Sequence, residues 1–207
     1  MKEKVYIIDL GINNIKSVGN AIEHVGFEYK IIKKASDVAK ARKLILPGVG
    51  SFDKGMSRLQ DLDLIDIINA KVNIEKIPIL GICLGFQMMT SSSDEGELKG
   101  LGWFDCHTSK IEPSKSNNIK VPHMGWNEVI WKKDSRLIEG VMGPPRFYFV
   151  HSYVPQAEDD SEILANTHYG SALNIALERD NIVGVQFHPE KSHIFGLKII
   201  ENFCKRY

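Results

Sequence analysis

Short apolar runs alternate with helix-spaced apolar positions through the first half of the chain. Val5-Tyr6-Ile7-Ile8, Tyr29-Lys30-Ile31-Ile32, Lys43-Leu44-Ile45-Leu46 and Pro78-Ile79-Leu80-Gly81-Ile82 each read as a strand. After the first of them Ile15, Val18, Ala21, Ile22 and Val25 recur at helical spacing, and Gly26 marks the stop. Ser36 predicts a cap for a short helix through Ala41, and residues 56–72 read as one or two helices. Strands apolar on both faces, separated by helices, predict a parallel sheet covered on both sides. The second half changes character. Residues 96–102 read as a loop, and 126–131, 147–150 and 182–187 as strands between longer polar loops. Leu197, Ile200, Phe203 and Cys204 mark a last amphipathic helix, with Lys205 and Arg206 at the negative end of its dipole. No repeat or linker interrupts the pattern. The reading is α/β, one domain over residues 1–207, with a mixed, mostly parallel central sheet covered by helices.

Composition narrows the function. The chain has 207 residues, 43% of them hydrophobic, with 26 Lys+Arg against 26 Asp+Glu. A surface that neutralises phosphates needs surplus cations, so no nucleic-acid partner is expected. No run of about 18 apolar residues is present, so no membrane span is expected. The opening Met1-Lys2-Glu3-Lys4 leads into a short apolar run without a signal peptide's cleavage site, which predicts a cytoplasmic address. Roughly 70% of the unfolded surface of such a chain is buried on folding, enough for a core without staples. Cys83, Cys106 and Cys204 are too few and too scattered for a disulfide framework or a zinc site. No dinucleotide fingerprint or phosphate loop is present, so no metal and no cofactor are expected. Zero net charge favours association; a partner subunit is one explanation and ordinary surface patchiness another.

Candidate chemistry centres on Gly81-Ile82-Cys83-Leu84-Gly85, which follows an apolar strand and precedes a possible helix at Phe86-Gln87-Met88-Met89. A sharp strand-to-helix turn needs small neighbours and lifts a nucleophile above the sheet edge. A helix N-terminus there favours negative charge on the sulfur, and the Leu84 N–H points where an oxyanion would form. A free cysteine is otherwise a small core residue, and the glycine bracket alone leaves both readings open. Val183-Gly184-Val185-Gln186-Phe187-His188-Pro189-Glu190 shifts the balance. Alternation puts Gln186 and His188 on one face. His188 can take a thiol proton, and Glu190 can accept from its other ring nitrogen. Leu46-Pro47-Gly48-Val49-Gly50 follows a strand at the carboxyl edge, where ligands bind, and could supply a second oxyanion donor or be an ordinary turn.

Taken together these strings resemble the class I, triad-type glutamine amidotransferases, over essentially the whole chain. Within that class the similarity is to the glutaminase subunits of imidazole glycerol phosphate synthase. It is carried by Pro47-Gly48-Val49-Gly50-Ser51-Phe52, Val121-Pro122-His123-Met124-Gly125-Trp126-Asn127, Tyr148-Phe149-Val150-His151-Ser152-Tyr153 and His188-Pro189-Glu190-Lys191-Ser192. The resemblance implies a flavodoxin-like fold and a Cys83–His188–Glu190 triad acting on glutamine. It implies an oxyanion hole from Leu84 and the Gly48–Val49 backbone. Gln87 and Gly50 would hold glutamine, with His151, Ser152 and Tyr153 backbone groups nearby. It implies a (β/α)₈-barrel cyclase partner that receives ammonia, met through Asn14, Met124, Trp126, Asn127 and Lys191.

Three strings depart from that pattern. Asp9-Leu10-Gly11-Ile12-Asn13-Asn14 lacks the second glycine usual at that turn. Gly102-Trp103-Phe104-Asp105 and Ser192-His193-Ile194-Phe195-Gly196 are similar to paralogues that deliver ammonia for amidation of a sugar acid in surface-polysaccharide synthesis. The resemblance therefore implies histidine biosynthesis first and the sugar paralogue second. A stand-alone cysteine hydrolase and a non-catalytic module on the same scaffold are the remaining alternatives.

Overall fold

The computed structural model describes residues 4–12, 14–114 and 119–207. Met1, Lys2, Glu3 and Asn13, which figure in the N-terminal and Asp9-to-Asn14 readings, lie outside them. The strands are β1 (Val5–Ile8), β2 (Tyr29–Ile32), β3 (Leu44–Gly48), β4 (Ile79–Cys83), β5 (Ser92–Ser93), β6 (His107–Lys110) and β7 (His123–Glu128), followed by β8 (Ile130–Trp131), β9 (Arg146–His151), β10 (Tyr153–Gln156), β11 (Ile163–Tyr169), β12 (Ser171–Arg179) and β13 (Ile182–Val185). The helices are α1 (Ile15–His24), α2 (Ala35–Val38), α3 (Phe52–Asp61), α4 (Ile65–Asn69), α5 (Leu84–Gln87) and α6 (His193–Arg206). An eight-stranded sheet runs in the order β2-β1-β3-β4-β13-β12-β11-β8. From β2 to β13 its neighbours are parallel; from β13 to β8 they are antiparallel. The expected mixed, mostly parallel sheet is thus present.

Both faces are covered, for the reason the apolar strands predict. Ile7, Ile45 and Leu80 turn to one face, where α1 and α6 bring Val18, Ile22, Ile200 and Phe203. Ile8, Leu44 and Ile79 turn to the other, against Phe52, Met56, Ile68 and Phe86. Among the described residues no helix is long and apolar enough to cross a membrane.

Several boundaries differ from expectation. Ser36 lies inside α2 rather than capping it; Lys34 holds the cap position, and the helix ends at Val38. The 56–72 pattern starts earlier, at Phe52, and ends in a π-helical turn, Ala70–Ile74. The 126–131 strand is two strands broken at the buried Val129. The ladder of β13 stops at Val185, so Gln186 and His188 lie just past it on the carboxyl edge. The β11–β12 hairpin was not foreseen. It turns on Gly170 alone, at φ +76, with Tyr169 paired to Ser171. A one-residue turn leaves no polar loop in the sequence to announce it.

Candidate active site

Cys83 ends β4 at the centre of the parallel sheet and is the residue immediately before α5. Its backbone sits at φ 54, ψ −110, a region that costs a non-glycine residue of order 1–3 kcal/mol and persists only where packing imposes it. The packing is visible at Gly85. A Cβ there would lie 1.7 Å from the Leu46 carbonyl oxygen, because β3 runs directly against the turn. Gly85→Ala is therefore expected to destabilise by about 3 kcal/mol through overpacking, a fall in melting temperature of about 6–12 °C in a thermal scan. An unchanged melting temperature would refute the account of the turn.

His188 enters from the end of β13, and its N–H donates to the Tyr148 carbonyl at 2.9 Å. The one-turn 3-10 segment Pro189–Lys191 then folds Glu190 back. His188 Nδ1–H donates to Glu190 Oε1 at 2.8 Å, and both side chains are buried. That bond leaves Nε2 as the free ring atom; it is buried, makes no full hydrogen bond, and belongs to a side chain lining the same pocket as Cys83. Burial opposes charge on His188. The Cys83 sulfur and the Glu190 carboxylate outweigh it and raise the imidazole to about 10. The ring is thus set to be an imidazolium beside the sulfur, which is what protonation of an amine leaving group requires.

The pocket holds about 310 Å³ and is lined by Val49, Gly50, Cys83, Leu84, Gln87, Glu95, Pro122, Val150, His151, Ser152, Tyr153 and His188. The expected glutamine-side residues are therefore gathered here, with one exception. Gly48 lines a small cavity on the far side of His188, together with Asn14, Val49, Glu190 and Lys191. Leu84 N–H is the first amide of α5 and has no intrahelical acceptor. Of the Gly48–Val49 backbone, expected to give the second oxyanion donor, the Val49 N–H instead donates to the Ile12 carbonyl at 3.1 Å. A backbone donor held that way cannot serve the pocket until the 48–50 segment turns.

Glu95 escaped the sequence reading. It lines the pocket from the loop after β5, accepts from Phe52 N–H at 2.8 Å, and has its carboxyl raised by burial. The signal for it was weak: one acid in the run Asp94-Glu95-Gly96-Glu97. Gln186 and His123, to which the sequence pattern assigns no role, are both buried.

The expected partner face divides. β7 pairs antiparallel with β9, so its residues alternate between two sides. Met124 and Trp126 point out, at 66% and 40% exposure. Trp126 stacks on His193 at an interplanar angle of 5°. The ammonium of Lys191 lies 5.6 Å from the Tyr148 ring centre, and Asn14 is exposed just before α1. Asn127 belongs to the opposite side. Its Nδ2 donates to the His168 carbonyl at 3.0 Å and contacts His123 Nε2 at 3.3 Å. Strand alternation thus removes Asn127 from the face that Met124 and Trp126 share.

Comparison with known proteins agrees with this geometry. The family model described as glutamine amidotransferase class-I matches residues 6–207. The chain is 50% identical, over 98% of its length and 99% of the relative's, to imidazole glycerol phosphate synthase subunit HisH 2 of Methanococcus maripaludis. It is 43% identical to the subunit HisH 2 of Pseudomonas aeruginosa, over 97% of this chain and 98% of that one. A crystal structure of a glutamine amidotransferase superposes with a TM-score of 0.71 at 18% identity, covering 95% of this chain and 98% of that one. The strained Cys83 turn, the buried histidine–glutamate pair and a match along nearly the entire length lead to one conclusion: the chain belongs to the class-I glutamine amidotransferase family.

Proposed function

We propose that this chain is the glutaminase subunit of an imidazole glycerol phosphate synthase, hydrolysing glutamine and passing ammonia to a (β/α)₈-barrel cyclase. The observation that carries the proposal is the buried Nδ1–H to carboxylate bond of His188 and Glu190, with the free Nε2 and Cys83 lining one pocket of about 310 Å³. The names of these relatives support the histidine pathway over sugar amidation.

The chemistry follows from the atoms. Cys83 Sγ forms a bond to the side-chain amide carbon of glutamine. The C–N bond breaks as His188 Nε2 gives its proton to the departing nitrogen, releasing ammonia. Water then attacks the thioester while Nε2 takes back a proton. Sγ leaves as thiolate, and the products are glutamate and the starting ion pair. Glu190 keeps the ring oriented and its positive charge favourable. Leu84 N–H faces the developing oxyanion. Glu95 is the pocket's carboxylate and suits the α-ammonium of glutamine. Gln87, Gly50 and the 151–153 backbone complete the cradle.

With Val49 N–H held by Ile12, that donor is withheld from the pocket in the chain alone. Loss of one such donor costs about 10²–10³ in kcat. Glutamate release by the isolated chain is therefore expected to be slow, and to rise by about 10²-fold when the barrel cyclase and its nucleotide substrate are added. The partner would cover the exposed Met124 and Trp126 together with Asn14 and Lys191, the last two of which line the small cavity behind His188. Strong glutaminase activity alone, unchanged by the cyclase, would indicate a stand-alone hydrolase and overturn the proposal.

A further inference from the structure

Gln186 lies immediately beyond β13, two residues before His188, and its side chain is completely buried. A buried amide must find partners for its hydrogens and its oxygen, or it costs stability. Its carbonyl oxygen Oε1 accepts from Gln87 Nε2 at 3.0 Å, and its own Nε2 donates to Cys83 Sγ at 3.7 Å.

The orientation of both amides follows from fixed acceptors. The Tyr153 carbonyl can only accept, and it receives Gln87 Nε2 at 3.0 Å and His151 Nδ1 at 2.8 Å. Gln87 Nε2 therefore carries its hydrogens toward Tyr153 and Gln186, which assigns Oε1 of Gln186 as the receiving atom. Its NH₂ is left facing the sulfur. The other arm is equally determined. His151 donates through Nδ1, so its Nε2 accepts from His123 Nδ1 at 3.0 Å. His123 Nε2 is then the acceptor for Asn127 Nδ2 at 3.3 Å. Burial lowers His123 to about 4 and His151 to about 3, so both stay neutral in these tautomers at physiological pH.

We propose that Gln186 is a further catalytic residue, an N–H donor that holds the negative charge of the Cys83 thiolate while His188 serves as the acid. The proposal rests on the reading of Cys83 as nucleophile. A hydrogen bond to an ionised acceptor is markedly stronger than one to its neutral form. The Gln186 bond therefore favours thiolate over thiol before attack. It weakens when sulfur becomes a neutral thioester and strengthens again as thiolate departs, which aids the second half of the reaction. Gln87 and Tyr153 aim it; His151 at the end of β9 donates to the Tyr153 carbonyl, and His123 and Asn127 of β7 hold His151 in turn.

The groups that titrate around the sulfur are His188 with Glu190 behind it, His151 from β9, Tyr153 from β10 and Glu95 from the loop after β5; Lys191 lies in the cavity beyond His188. His151 does not change charge in the working range, so a shift on changing Gln186 reports chiefly on Cys83 and His188.

The test uses the full chain with its cyclase partner, comparing Gln186→Met and Gln186→Glu with the parent. Cys83 is alkylated by iodoacetamide from pH 6 to 10, with Cys83→Ala marking background from the other thiols. The expected result for Gln186→Met is an alkylation midpoint about one pH unit higher, the size expected when a bond to a charged group is lost. Gln186→Glu leaves Gln87 an acceptor but sets a carboxylate beside the sulfur, so its midpoint moves further. Its kcat falls about tenfold or more, while KM for glutamine stays within about twofold. Thermal melts identify a variant that fails to fold, and the other then carries the test. If Cys83 of the parent is reactive and both variants keep its midpoint, the proposal fails while the nucleophile reading stands. A raised KM with an unchanged midpoint also overturns it, reducing Gln186 to support for Gln87. If Cys83 of the parent neither alkylates nor supports turnover, both readings fall together.

Discussion

Cys83→Ala is expected to lower partner-stimulated glutamine hydrolysis by about 10⁴–10⁶-fold, the scale on which loss of a nucleophile acts in hydrolases that work through a covalent intermediate. The structure offers no substitute. Cys106 and Cys204 do not line the pocket, and burial pushes both thiols up to about 12, where they are poor nucleophiles at neutral pH. His188 could at best activate water directly, without the covalent intermediate that divides the reaction. The substitution removes one sulfur from a side chain that borders a pocket, and alanine meets the same backbone conformation at φ 54, so the fold should survive. Glutamine should still bind, because Glu95, Gln87 and the 151–153 backbone are untouched. Two measurements check this together: glutamate release with the cyclase present, and calorimetric binding of glutamine to the variant. Activity within tenfold of the parent would remove Cys83 from the mechanism. Loss of binding together with activity would point instead to a collapsed pocket.

The amino-acid pattern made this site legible because its parts are local. The Gly81-to-Gly85 bracket needs no distant information: Gly85 is small because Leu46 O lies where a Cβ would be. The His188-to-Glu190 pair is equally local, closed within one short turn. The parallel strands were legible because their residues are apolar without interruption, which only two-sided burial explains. What was hidden depends on contacts far apart in the chain. Glu95 reaches the pocket because its loop packs on the start of α3, 43 residues earlier. The Val49 amide is diverted by Ile12, and no property of Pro47-Gly48-Val49-Gly50 announces that bond. Asn127 was grouped with Met124 and Trp126 because they share a string. The period of a strand separates them, and that reading required knowing residues 123–128 were extended.

Glu190→Gln is expected to have the second-largest effect, and it has a distinctive pH signature. Replacing the orienting acid of a comparable triad costs about 10⁴ in kcat while leaving the geometry intact. Glutamine is nearly isosteric here and can still present an oxygen to His188 Nδ1–H, so the ring's position tests as unchanged while its charge preference does not. The parent imidazole stands near 10 because the Cys83 sulfur and the Glu190 carboxylate together overcome burial. Without the carboxylate, burial regains weight and the ring's proton affinity falls. The imidazolium needed to protonate ammonia is then lost at lower pH, and the alkaline limb of the kcat profile moves downward. Stability carries the same sign. In the parent, His188 binds its proton more tightly folded than unfolded. Its contribution is complete below about 6.5 and is lost as pH rises toward about 10. In Glu190→Gln that loss is smaller and is complete at a lower pH. Urea midpoints between pH 6 and 10 should therefore fall less steeply for the variant than for the parent. Parallel urea slopes, or an alkaline limb that stays in place, would show that Glu190 acts on His188 by position alone, and the charge argument for the triad would fail.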